Sequence, residues 1–284
     1  MNKNISNAFT VDVEDFFQVE AFSQVIDRDK WEGFSCRVEA NTDHILALLD
    51  DKGVKGTFFV LGWIAKRYPQ VVKKIAEQGH EIASHGMTHK LIYNQQPDVF
   101  KKETFDSKSL LEDLSQQPVN GYRAATYSIT NKSLWALDTL VEAGFTYDSS
   151  IFPMTHDRYG IADACPIPNK LTTPNGSKIV EFPISTVKSK YFTLPIAGGG
   201  YFRLFPYMIT RWGLSQINKK NESFVFYIHP WEVDPDQPRI ENISKFTKFR
   251  HYNNLSRCSN RLSMLLNDFK FTTMHNVLED KGLL

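Results

Sequence analysis

About seven short apolar runs, separated by segments of helical periodicity, constrain this 284-residue chain more than any other feature. The runs are Phe9–Val13, Thr57–Leu61, Glu81–Ser84, Val119–Arg123, Phe145–Asp148, Ile179–Phe182 and Phe224–Ile228. Between them, Val38, Thr42, Ile45, Leu46 and Leu49 recur at helical spacing, with Gly53 placed to end the helix. Val71, Val72, Ile75 and Ala76 before Gly79, a stretch from Pro97 to about Gln117, and Leu134, Leu137 and Val141 before Gly144 repeat the scheme. Buried strands alternating with helices form parallel sheets. The expected fold is therefore α/β, a closed or nearly closed (β/α) barrel of about seven strands, with a doubly wound open sheet as the alternative. Residues 152–176, rich in Pro and Gly, read as a long loop. No linker divides the chain, so one domain over 1–284 is expected, with 233–284 as a C-terminal extension packed on it.

Charge excludes some functions. Lys+Arg number 33 against Asp+Glu 32, which argues against a nucleic-acid binder resting on many phosphate contacts. The 3 cysteines, Cys36, Cys165 and Cys258, are scattered and read as free thiols of a reducing compartment. Residues 1–10 lack an apolar leader core, and no uncharged run approaches the roughly 18 residues of a membrane span. A cytoplasmic protein is the resulting expectation.

Ligand-type residues stand at the strand ends, which a barrel gathers on one rim. Asp12, Glu14 and Asp15 end the first run; His85 and His89 follow the third; Arg123, Asp148 and His229 end later ones. His85 and His89, four residues apart, can reach one metal from a single helical turn. A zincin is excluded, because Gly86 stands where its glutamate base belongs. Strand alternation puts Asp12 and Glu14 on one face and Asp15 on the other, favouring Glu14 over Asp15 as the acidic ligand.

Thr-Val-Asp-Val-Glu-Asp (10–15), Ser-His-Gly-Met-Thr-His (84–89), Gly-Tyr-Arg-Ala-Ala-Thr (121–126), Tyr-Asp-Ser-Ser (147–150) and Tyr-Ile-His-Pro-Trp-Glu (227–232) occur in the order of the NodB-homology polysaccharide deacetylases. With Gly-Gly-Gly-Tyr-Phe-Arg (198–203), the chain most resembles the subgroup associated with exosortase and exopolysaccharide gene clusters. The resemblance implies a distorted barrel and metal-dependent hydrolysis of N-acetyl groups from amino sugars. The metal would most readily be Zn, with Co, Ni or Fe as alternatives. It implies Asp12 as base; Glu14, His85 and His89 as metal ligands; Arg123 as the partner of Asp12; His229 as acid, tuned by Asp148; and the Thr126 N–H in the oxyanion hole. Two departures stand out: Val13 separates the acidic residues, and Ala125 replaces the usual proline.

Other residues read as substrate contacts. Tyr201 or Phe202 in the glycine-rich stretch would stack on a sugar and Arg203 would meet an anionic group, unless the stretch is a plain turn. Trp231 and Glu232 would line the sugar subsite. Arg239, Lys245, Lys248, Arg250, Arg257 and Arg261, opposed by Glu241 alone, would face a lipid pyrophosphate or an anionic membrane, or simply solvent. The expected substrate is an N-acetylated glycan of envelope or exopolysaccharide biosynthesis, met in the cytoplasm as a lipid-linked intermediate at the inner membrane face, with a nucleotide sugar as the alternative. Hydrolysis of another small amide, as in allantoinase-like relatives, and an inactive carbohydrate-binding barrel are the alternatives.

Overall fold

A computed structural model describes residues 5–156, 158–189 and 193–284. The first four residues, part of the stretch read for a leader, lie outside the described residues. Strand β1 (Ser6–Val13) has seven buried residues in succession. Helix α1 (Val38–Asp51) leads to β2 (Thr57–Val60); α2 (Gly62–Arg67) and α3 (Pro69–Glu77) lead to β3 (Glu81–Ser84). Next come α4 (Pro97–Ser115), β4 (Gly121–Tyr122), α5 (Trp135–Glu142) and β5 (Tyr147–Asp148). Strands β6 (Asn169–Thr172), β7 (Lys178–Glu181), β8 (Thr186–Lys188) and β9 (Thr193–Pro195) precede α6 (Gly199–Leu204), α7 (Tyr207–Asn218) and β10 (Val225–Ile228). The C-terminal part adds α8 (Lys245–Tyr252), α9 (Cys258–Asp268), β11 (Lys270–Thr272) and α10 (Met274–Asp280).

One local device recurs where helix meets strand. Gly53, Gly79 and Gly144 adopt φ of +60°, +74° and +80° after α1, α3 and α5. At the first, the Gly53 N–H donates to Asp50 O and the Val54 N–H to Leu49 O, a Schellman pair that turns the chain toward β2. Glycine suits these positions because a Cβ is disfavoured at positive φ.

The strand order is β10-β1-β2-β3-β4-β5-β7-β6, parallel throughout except for β6 on β7. Its two ends curl together. Ser185, just past β7, accepts the Val225 N–H on its Oγ at 3.0 Å, and Ala197 O accepts the Tyr227 N–H at 2.8 Å. The expected distorted barrel is thus the observed fold, not the open sheet. All seven expected strands occur, though β4 and β5 are only two residues long.

The sequence reading missed four short strands. Residues 152–176 are not all loop, because β6 pairs with β7 across the turn at 173–177. Its Asn-Lys-Leu-Thr is half-buried at an edge and lacks a strong apolar signal. β8 and β9 form a separate hairpin, and β11 lies beside the start of β1, matching Ser6 to Lys270 and Ala8 to Thr272. No helix of the described residues is long and apolar enough to cross a membrane.

Candidate active site and metal centre

The carboxyl ends of β1, β3, β4 and β10 converge as anticipated. Glu14, His85 and His89 are buried, and their candidate ligand atoms all lie within 4.8 Å of one another. His85 Nδ1 is 2.8 Å from Arg123 O; since a carbonyl only accepts, Nδ1 carries the proton and Nε2 presents its lone pair to the cluster. Burial holds His85 neutral, its pKa lowered to about 4. Glu14 Oε2 lies 2.7 Å from His89 Nε2, yet no aligned donor satisfies it. Burial opposes its ionisation, but His89, His229 and His85 prevail and lower its pKa to about 2. A carboxylate with two imidazoles around an unfilled hydrogen-bonding site suits a divalent metal of the zinc type.

Asp15 points elsewhere. Its carboxylate accepts the Phe16 N–H at 2.7 Å and the Val38 N–H at 2.9 Å, tying the entry of α1 to the end of β1. Strand alternation therefore distinguishes Glu14 from Asp15.

Beside this cluster, Arg123 is fully buried and its Nη1 donates to Asp12 Oδ1 at 2.6 Å and to Thr10 Oγ1 at 2.9 Å. Nη2 donates to Ser149 Oγ at 3.0 Å, and the guanidinium lies 4.0 Å over the Phe59 ring. One Asp12 oxygen is thus occupied, leaving Oδ2 toward His229 Nε2 at 3.9 Å. The His229 side chain is 17% exposed, whereas those of Asp12 and Glu14 are 2% and 3% exposed, so the site opens at the histidine.

His229 is held from behind by Glu232. Its Nδ1 lies 2.7 Å from Glu232 Oε1, the same oxygen accepts the His229 backbone N–H at 3.1 Å, and Arg203 Nε donates to Glu232 Oε2 at 2.5 Å. Against the cost of burial, Glu232, Glu14 and Asp12 raise the His229 pKa to about 9. Glu232 is itself opposed by burial but held ionised by Arg203 and His229, at about 2.

Residues 29–147 match the polysaccharide deacetylase family, and residues 149–279 match a domain of unknown function, DUF3473. Over the first of these stretches the chain is similar to the polysaccharide deacetylases. The chain is 31% identical over 78 residues to a peptidoglycan-N-acetylglucosamine deacetylase of Bacillus cereus, covering 28% of this chain and 37% of that protein. It is 46% identical over 48 residues to a chitooligosaccharide deacetylase of Sinorhizobium fredii, covering 17% and 22%. The matched stretches span less than half the length of these relatives. A solved protein of Mycobacterium smegmatis, assigned to the polysaccharide deacetylases, superposes with a TM-score of 0.64 at 20% identity, covering 100% of this chain and 93% of that one. The PuuE allantoinase superposes at 0.63 with 13% identity, covering 99% and 92%. These two likenesses concern the fold.

Three expectations for this site are corrected by the structure. Asp148 does not tune His229: its Oδ1 accepts from Ser150 Oγ at 2.6 Å, and it is buried beside Glu181, where desolvation raises its pKa to about 6. Glu232 replaces it because a residue three positions on, across a short helical turn starting at Pro230, is within reach of the ring. The signal was legible as a capping box, with glutamate at the third helical position after His229. Arg203 does not face a ligand anion. It is buried, and besides Glu232 its Nη1 donates to His251 O and Asn253 O at 2.7 and 2.9 Å.

The glycine-rich stretch opens a helix and is not a plain turn, since Gly198, at φ +135°, packs against the backbone of Tyr227 and starts the helix that delivers Arg203. Tyr201 is half-buried and stacks on Phe205 at 6.0 Å, without joining the metal-side cluster. Trp231 is buried; its Nε1 donates to Glu14 Oε1 at 3.3 Å, and its ring lies between those of His229 and His251, at 5.3 and 4.2 Å. Thr126, next to Ala125, takes φ +53°, rare for a β-branched residue and of the kind that clusters at active sites. His251, Thr10 and Ser149 were not singled out for the site, since nothing local marks a residue as another's neighbour.

Proposed function

We propose that this protein removes N-acetyl groups from amino sugars of a glycan by metal-assisted hydrolysis. The observation that carries the reading is the adjacency, on one rim, of the buried Glu14–His85–His89 cluster, the Arg123-paired Asp12 and the Glu232-held His229. A divalent metal, zinc or alternatively cobalt, nickel or iron, would be held by the three cluster residues. When bound, it supplies Lewis-acid polarisation of the amide carbonyl and makes water acidic enough to deprotonate near neutral pH.

The chain's own residues supply the proton traffic. Asp12, paired with Arg123 through Oδ1, takes a proton from the attacking water on its free Oδ2. His229, protonated at neutral pH, donates from Nε2 to the departing amine, which would otherwise be a very poor leaving group. Glu232 holds the ring through Nδ1 so that only Nε2 faces the substrate. The Thr126 N–H contributes to stabilising the oxyanion, and donors of this kind are worth about 3 kcal/mol each.

The substrate in this reading is an N-acetylated glycan of envelope or exopolysaccharide biosynthesis, carried on a lipid and met at the cytoplasmic membrane face. The test is elemental mass spectrometry on protein purified without added metal, paired with acetate release from N-acetylglucosamine oligomers. Wild type should hold about one metal per chain, His85→Ala and Glu14→Ala should lose it, and Asp12→Asn should keep it while losing turnover. A wild type that is empty and refuses added zinc would overturn the mechanism.

A further inference from the structure

Helix α8 has few reasons to be a helix of a solitary globule. Of its residues Lys-Phe-Thr-Lys-Phe-Arg-His-Tyr, only His251 is buried. Phe246 and Phe249 are 68% and 53% exposed, one turn apart and therefore on one face. The helix is nevertheless well defined at its start, where Ser244 Oγ accepts the Thr247 N–H at 3.0 Å. Lys245, Lys248 and Arg250 are exposed around the two rings, and Arg239 and Arg257 are exposed on the flanking chain. Arg250 lies 5.6 Å from the Phe246 ring centre. α6, packed against α8, adds a 43% exposed Leu204.

The geometry points to α8 as a docking element for an anionic bilayer surface, with Phe246 and Phe249 entering the acyl boundary and the surrounding lysines and arginines meeting lipid phosphates. Two observations select a membrane over a folded protein partner. The exposed charges of α8 are all of one sign, which complements a continuous anionic surface. The two largely exposed aromatic rings share one face of a helix whose exposed polar residues include lysines and an arginine, the pattern of a helix that lies in a lipid interface.

The position of α8 gives the docking a purpose. Arg250 O, His251 O and Asn253 O accept hydrogen bonds from Arg203, which anchors Glu232. On the other side the His251 ring stacks on Trp231, which stacks on His229. The bilayer-facing helix thus stands one ring layer behind the His229 rim, where a sugar attached to a membrane lipid would be presented. Only this purpose rests on the deacetylase reading; the docking surface does not.

The experiment is co-sedimentation of the full chain with sucrose-loaded vesicles of phosphatidylcholine alone or with about 30% phosphatidylglycerol. Wild type should pellet with the anionic vesicles and not with the neutral ones. Phe246→Ser/Phe249→Ser should lower partitioning about tenfold or more, and Lys245→Glu/Lys248→Glu about as much. All are surface changes that leave circular dichroism and melting unchanged. Wild type that stays in solution with both vesicles overturns the proposal. So does anionic binding that the phenylalanine variant retains in full, or sedimentation velocity showing that Phe246 and Phe249 are covered in a dimer. Anionic binding by wild type without acetate release from soluble oligomers would fault the glycan reading and leave the docking surface standing.

Discussion

His229 and Glu232 touch twice, through the imidazole Nδ1 at 2.7 Å and through the backbone N–H at 3.1 Å, both on the same carboxylate oxygen. The histidine is thereby fixed in orientation and in charge by a residue of its own turn. Arg203, behind Glu232, prevents that carboxylate from taking the proton itself.

The pH profile of acetate release should report this pair. The carboxylate raises the His229 pKa, and an acid must be protonated to act, so Glu232→Gln should move the alkaline limb of kcat/KM toward neutral pH. Turnover at its optimum should fall about 100-fold, the lower end of a positioned acid's contribution. Asp148→Asn should leave the limb where it is. A limb moved by Asp148→Asn and not by Glu232→Gln would reverse the assignment.

Arg123→Ala should cost about 3–5 kcal/mol, because it leaves Asp12 buried beside an empty space without its counter-ion. Arg123→Lys should rescue little, since an ammonium cannot reproduce the fork that reaches Thr10, Asp12 and Ser149 together. Denaturant midpoints would measure both, and midpoints near the wild type's would show that the pair is not what holds Asp12.

Gly198→Ala and Gly176→Ala test close approach separately from backbone strain. Both glycines have positive φ, +135° and +90°, but a Cβ on Gly198 would lie 1.8 Å from Tyr227 O while one on Gly176 meets nothing within 4 Å. Gly176→Ala should cost about 1 kcal/mol. Gly198→Ala should cost several times that and should release Arg203 from Glu232, with a matching drop in Tm. Equal melting of the two variants would mean that the chain beside β10 can move aside.

Acid should destabilise the fold partly through two buried neutral histidines. Burial lowers His80 to about 4 and His251 to about 3. Their folded pKa values lie below the unfolded value of about 6.5, so the unfolded chain binds the extra protons and stability falls as pH drops below that point. For His80 the loss approaches about 3 kcal/mol by pH 4. His80 Nδ1 accepts the Gly56 N–H at 3.1 Å, and in His80→Asn an amide oxygen replaces that acceptor without titrating. The variant should flatten the decline between pH 6.5 and 4 in urea titrations. An unchanged slope would assign the acid sensitivity to other groups.

Much of the site was legible because strand geometry is periodic. Two-residue alternation separates Glu14 from Asp15 whatever the rest of the chain does, and residues at the ends of parallel strands reach one rim in any barrel. The edge strand β6 was not legible, since an alternating half-buried tetrapeptide carries little apolar signal.

By itself the sequence determined the α/β rhythm, the glycine-closed helices, and which side chains leave the strands on the site face, because propensity, periodicity and turn chemistry act within a few residues. Only the tertiary structure decided that Arg203 turns inward to Glu232, that Trp231 lies between His229 and His251, and that Asp148 is buried beside Glu181. Those contacts join residues far apart in the chain, and their distances depend on how the curled sheet closes and which charge finds a partner once water is excluded.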